Sequence, residues 1–261
     1  MPPRRRPLRA VSLPAAALAL AVLASCNSKD GGSGLTTVTA SPVGVWSGTD
    51  SVSGLGVTAL INLAGQATFI RSDGVQFVGV VQVSSDTLAA TVDGYTDFSS
   101  TFSDGSDFGI GTLNGTVTTA NTLTATLSFT TDGGSAVTGS WSLSFMPQSN
   151  DPSATLSVSG NYTDNVTGTV LSINNDGVMT SQNANNGCVL NGSIATADSA
   201  HDLYEVAYSY GNCTGTYAVL NGVQFTGLAT LNPTSPAQLT VAVAGASSTA
   251  KYGTVTTYHG S

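Results

Sequence analysis

One short pattern occurs four times in this chain: an apolar-x-Gly-x-apolar run, a turn, and then Leu-x-apolar-x-apolar. The first copy reads Phe77-Val78-Gly79-Val80-Val81 leading to Leu88-Ala89-Ala90-Thr91-Val92. The second reads Leu113-Asn114-Gly115-Thr116-Val117 leading to Leu123-Thr124-Ala125-Thr126-Leu127. The third runs from Leu190-Asn191-Gly192-Ser193-Ile194 to Leu203-Tyr204-Glu205-Val206-Ala207, and the fourth from Phe225-Thr226-Gly227-Leu228-Ala229 to Leu239-Thr240-Val241-Ala242-Val243. Alternation at period two on both sides of a turn makes each copy a β-hairpin.

Copies one and two begin 36 positions apart and copies three and four 35, while the matched copies of the two halves lie 113 and 112 apart. Equal offsets at both places indicate duplication of a unit of roughly 110 residues. Other pairs fall near the same offset: Gly44-Val45-Trp46 with Gly160-Asn161-Tyr162, Thr58–Leu63 with Thr169–Asn174, and Gly139-Ser140-Trp141 with Gly253-Thr254-Val255. The polar stretch from Pro147 to Ser153 separates the units, giving domains 42–147 and 153–261.

Thr, Val, Ser, Ala and Gly dominate, and no window carries a helical apolar stripe, so the fold class is all-β. One unit holds about eight strands, near residues 44–50, 57–63, 66–71, 75–82, 86–93, 109–118, 122–131 and 136–146. Eight antiparallel strands joined by short turns close most simply into an up-and-down β-barrel, with a two-sheet sandwich as the alternative. Two such units in tandem are therefore expected. Trp46 on the first strand and Trp141 on the last are then neighbours at the closure seam, with Tyr162 in the equivalent place of the second unit. Tyr204, Val206, Tyr208 and Tyr210 alternate along one strand and read as barrel core, a ligand-lining face being the alternative.

The first nine residues carry Arg4, Arg5, Arg6 and Arg9 and no acid, and Ala10–Ala24 supply an apolar run. This is the charge-then-apolar order of a secretory signal, too short for a membrane span of roughly twenty residues. Leu23-Ala24-Ser25-Cys26 closes it, and these four residues resemble the lipobox of bacterial lipoproteins. The resemblance implies removal of a signal peptide, 1–25, diacylglycerol thioether-linked to Cys26, and acylation of the new amino terminus. Arg4–Arg9 is also similar to a twin-arginine export signal, but Pro7 stands where that pattern carries an aromatic or apolar residue, which favours ordinary secretion. Asn27 follows the cysteine in place of the Asp associated with inner-membrane retention. The resemblance thus implies an outer-membrane anchor, facing the periplasm or the cell surface. Residues 26–41, rich in Gly, Ser and Thr, form a lipidated tether reaching roughly 20 Å.

Outside the signal, Lys29, Arg71 and Lys251 stand against fifteen acids, a net charge of −12. No cation cluster exists to release counterions, which excludes nucleic acid as a partner. The same field disfavours close approach to anionic headgroups. The lipid bilayer is therefore a partner through acylated Cys26. With that residue lipidated, Cys188 and Cys213 remain in an oxidising compartment and are expected to form a disulfide. That pairing centres a hairpin between Ala200 and His201, with Ala197–Asp202 as its polar turn.

Catalytic signals are weak. Asp93, Asp97, Asp104 and Asp107 crowd a Gly- and Ser-rich run from Asp93 to Gly109, a calcium-type composition whose spacing fits no established calcium loop. A solvated loop is the first reading, and those four carboxylates are the alternative metal ligands. His201 and His259 have no nucleophile motif beside them, no Gly-x-Ser-x-Gly elbow exists, and Glu205 is the single glutamate. A non-catalytic protein with no cofactor and no metal is expected.

Lipidated cysteine, tether and two barrels resemble the layout of Gram-negative surface lipoproteins of the factor H-binding protein and transferrin-binding protein B kind. The hairpin pattern extends the resemblance over most of the mature chain. It implies a binding or structural role in the bacterial envelope, with a protein partner met by the barrel loops. A lipocalin-like carrier of a small apolar ligand is the second reading.

Overall fold

The computed structural model describes residues 41–98, 100–147, 155–198 and 200–261. The expected signal segment, Cys26, all of the tether but Ser41, and most of the expected break at Pro147–Ser153 lie outside the described residues.

The first unit comprises β1 (Gly44–Asp50), β2 (Gly56–Ile61), β3 (Gln66–Arg71), β4 (Gln76–Val80), β5 (Gln82–Ser84), β6 (Thr87–Tyr95), β7 (Phe108–Thr119), β8 (Thr122–Thr131) and β9 (Ala136–Phe145). β4 and β5 both pair with β6, so they occupy one wall position, interrupted at buried Val81, whose N–H donates to the Gly65 carbonyl at 2.7 Å. The ring closes where β1 pairs with β9, which makes an eight-stranded antiparallel barrel.

The second unit comprises β10 (Gly160–Asp164), β11 (Val170–Ile173), β12 (Val178–Gln182), β13 (Val189–Asp198), β14 (Leu203–Gly211), β15 (Gln224–Asn232), β16 (Gln238–Ala246) and β17 (Lys251–Gly260). It too is a closed barrel with strands in chain order. The sandwich alternative is thereby excluded.

The repeat glycines have a steric cause. A Cβ added at Gly79, Gly115, Gly192 or Gly227 would lie 2.1–2.5 Å from a carbonyl oxygen of the following wall strand. Only a residue without a side chain lets neighbouring strands approach so closely in a small barrel.

Alternation then fills each interior. On β8, Leu123, Ala125, Leu127 and Phe129 face the first barrel's core, while Thr124, Thr126, Ser128 and Thr130 face out. Trp46 and Trp141 lie on the seam strands but are not beside each other. Trp46 opposes Phe145 at a ring distance of 5.0 Å, whereas Trp141 opposes Asp50 and packs on Phe69 and Phe77 at 5.2 and 5.8 Å.

The Cys188–Cys213 disulfide forms, with Cα atoms 4.0 Å apart. At its tip Asp198 opposes Leu203, which centres the turn between Ala200 and His201 as expected, but a shift between Thr196 and Asp198 puts the rest of the ladder, Thr196↔Tyr204 through Val189↔Gly211, one residue out of that register. The cysteines consequently sit just beyond the paired strands, where Asn212 turns at a φ of 60°.

A third apolar cluster joins the units. Val45, Leu60 and Ile70 point out of the first barrel, and Leu203, Leu228 and Ala242 point out of the second to meet them. Around this cluster, Gln76 Nε2 donates to the Val243 carbonyl at 2.8 Å and Asn62 Nδ2 to Glu205 Oε1 at 3.2 Å.

Candidate functional site

Because the units are duplicates, the places where they differ are informative. Leu123 and Leu239 open matching hairpin strands. Two residues on, Ala125 opposes Trp141 in the first barrel and Val241 opposes Thr256 in the second. Thr256 is therefore the counterpart of Trp141, one residue along from the Trp141–Val255 match expected from the sequence. A threonine stands where the first barrel buries an indole.

The closure seam differs as well. Asp50 and Asp164 begin the same turn: Asp50 accepts from Val52 N and Ser53 Oγ, and Asp164 from Val166 N at 2.9 Å and Thr167 Oγ1 at 2.5 Å. Asp50 opposes Trp141, whereas Asp164 opposes Tyr258, two residues further along than Thr256. β10 pairs with β17 only over Tyr162–Asp164, so the rest of β17, back to Lys251, runs on without a β10 partner.

The slipped seam and the smaller side chain leave a cavity of about 580 Å³ in the wall and mouth of the second barrel. Exposed Val166 lies at its rim, and Thr254 and Thr256 line one side. A volume of this order suits a small organic ligand.

Part of the lining comes from the first barrel. The β6–β7 loop carries Asp97, which bridges to Gly253, and Phe98, whose ring lies 5.2 Å from Tyr217 and 5.9 Å from Tyr252. Further along the same loop, Phe102 turns back onto Phe129 at 5.5 Å. One connection thus sends an aromatic residue to each barrel.

Beneath the opening, Tyr210 packs edge-on against Phe225 at 5.7 Å and Tyr208 at 5.2 Å. Burial pushes the Tyr208, Tyr210 and Tyr258 hydroxyls above the ordinary tyrosine range, and the Asp97 charge beside Tyr208 and Tyr210 and the Asp164 charge beside Tyr258 add to the rise. These hydroxyls stay protonated as hydrogen-bonding groups. Among the described residues, the lining contains Asp97, Asp164 and His259 but neither lysine nor arginine.

The four loop aspartates do not converge. Asp93 lies 3.5 Å from Lys251 Nζ and Asp97 faces the cavity; Asp104 accepts from Ser106, Thr131 and Ser135, and the Asp107 carbonyl accepts from Thr96. Those hydrogen bonds hold the Asp104 carboxyl well below the usual carboxylate range. No group of three or more His, Cys, Asp or Glu placed to hold a metal exists among the described residues.

His201 contacts Asp198 at 2.5 Å and lies at the barrel junction, 6.0 Å from the Phe145 ring. Tyr204 and Tyr208 are core residues, and Tyr210 is shared by core and cavity. Ser248-Thr249-Ala250-Lys251 has Ser-x-x-Lys spacing. It lies in the β16–β17 turn, with Lys251 3.7 Å above the Phe108 ring. Sequence reasoning missed Asp164, Phe98 and Thr256. The paired segments Asp50-Ser51-Val52-Ser53-Gly54 and Asp164-Asn165-Val166-Thr167-Gly168 were the available signal for the first.

The chain matches no protein-family model and no curated protein.

Proposed function

We propose that this chain is a lipid-anchored, non-catalytic binding protein of the bacterial outer membrane, facing the periplasm or the cell surface, whose ligand site is the second-barrel cavity. The anchor rests on the resemblance of Leu23–Cys26 to a lipobox. Barrels with apolar interiors and threonine-rich outer faces suit a domain held in water on a tether, the inverse of a lipid-facing barrel. The observation that carries the binding role is Thr256 in the place of Trp141 beside a slipped seam, which opens about 580 Å³ in one copy of a duplicated unit. This favours a small ligand at the barrel wall over the expected loop-borne protein partner. Both interiors carry packed apolar cores, so the ligand sits beside the core, unlike that of a lipocalin.

Fatty-acid labelling tests the anchor: the wild type should carry label and fractionate with membranes, and Cys26→Ala should lose both. Native mass spectrometry of the delipidated protein tests binding, with a small molecule that is lost on denaturation as the expected result. Repeated absence under gentle conditions, with no thermal shift across a small-molecule library, would refute it.

A further inference from the structure

We infer that the second-barrel cavity takes an organic cation, a substituted ammonium group on a small apolar body. This assignment rests on the binding reading above and adds the class of ligand. Aromatic rings and carboxylates share the cavity: Phe98 with Tyr217 and Tyr252 on one side, Tyr210 with Phe225 on another, and Asp97 and Asp164 beside them. Ring faces attract cations through their quadrupole, and the attraction grows as the cation loses water.

Apart from the His259 imidazole, no basic side chain lines the cavity with these carboxylates. The described residues contain two Lys or Arg side chains, and both are engaged elsewhere, Arg71 with Asp73 and Lys251 with Asp93. Two negative groups facing a partly enclosed space repel an anionic ligand and gain from a positive one. Asp164 also accepts two hydrogen bonds from its own turn, which fixes its carboxylate at the rim and leaves its charge uncompensated. Asp97 and Phe98 reach the cavity from the first barrel, so the site requires both units.

Titration calorimetry on the detergent-solubilised full mature chain would compare choline with its uncharged isostere 3,3-dimethyl-1-butanol, and benzyltrimethylammonium with benzoate. Each cation should bind about tenfold tighter than its comparator, and the advantage should shrink as salt is added. Asp97→Asn and Asp164→Asn, which keep side-chain size, should each weaken cation binding several-fold while the circular-dichroism spectrum of the folded barrels is retained. Thr256→Trp should abolish binding of every probe while the barrel stays folded.

Equal binding of choline and its isostere, or tighter binding of benzoate, overturns the cation assignment and leaves the binding reading standing. If no probe of either charge binds and Thr256→Trp changes nothing in the native mass spectrum, the binding reading falls with it.

Discussion

The most constrained charged residue of the first barrel is Asp50. It is fully buried at the closure seam, where Ser140 N donates to it at 2.9 Å in addition to Val52 and Ser53. Burial alone would raise its pKa; the hydrogen bonds from Ser53, Ser140 and Val52 outweigh that and hold it below the usual range. A carboxyl whose folded pKa is depressed stabilises the fold above its unfolded value near 3.9, and that contribution is lost as pH falls through the folded value. Asp50→Asn should therefore destabilise the protein by about 1–3 kcal/mol at pH 7. Urea denaturation at pH 7 and again near pH 2 should show the gap narrowing in acid; a constant gap would place the cost in shape instead of charge. Asp50 was not legible as a site, because one aspartate before Ser and Gly looks like any turn residue. The repeat glycines were legible for the opposite reason: a steric demand imposed at four equivalent places leaves a periodic mark.

Among the elements, the strands were readable because burial of one barrel face imposes period two, and the expected β1, β3 and β8 coincide with those observed. What alternation cannot encode is the stagger between the first and last strands of a ring, since sliding a pair by two residues keeps every side chain on its own face. The second barrel's seam differs from the first by such a slide, and the cavity arises there. The β13–β14 hairpin shows a smaller version, a one-residue error in an expected register that the Cys188–Cys213 bond tolerates from outside the ladder. The bond closes a span of 25 residues, for which loop entropy gives an upper figure of about 3.5 kcal/mol. Replacing both cysteines by serine should lower the second barrel's stability by about 2–3 kcal/mol, measured by chemical denaturation followed through tyrosine absorbance. A loss well under 1 kcal/mol would mean that the hairpin persists in the unfolded chain.

For the whole molecule, the decisive question is why duplicated barrels act together. The apolar cluster between them is asymmetric, with β1, β2 and β3 of the first barrel meeting β14, β15 and β16 of the second. Its sequence trace is a local failure of alternation, in Ala59-Leu60-Ile61, Phe69-Ile70 and Val241-Ala242-Val243, where adjacent apolar residues mean that both faces of a strand are covered. Leu228 is the clearest probe: it is 2 % exposed, it belongs to the joining cluster, and it faces away from its own barrel's core. Leu228→Asp would place an unpaired carboxylate among Leu60, Ile70 and Leu203 while leaving Tyr208, Phe225 and Val243 packed. Calorimetry should show one unfolding transition for the wild type. The variant should show two, separated because each barrel no longer gains from its neighbour, and should bind cations more weakly because the first barrel carries Asp97 and Phe98 to the cavity. A single transition at an unshifted midpoint would show that the barrels unfold together for some reason other than this cluster.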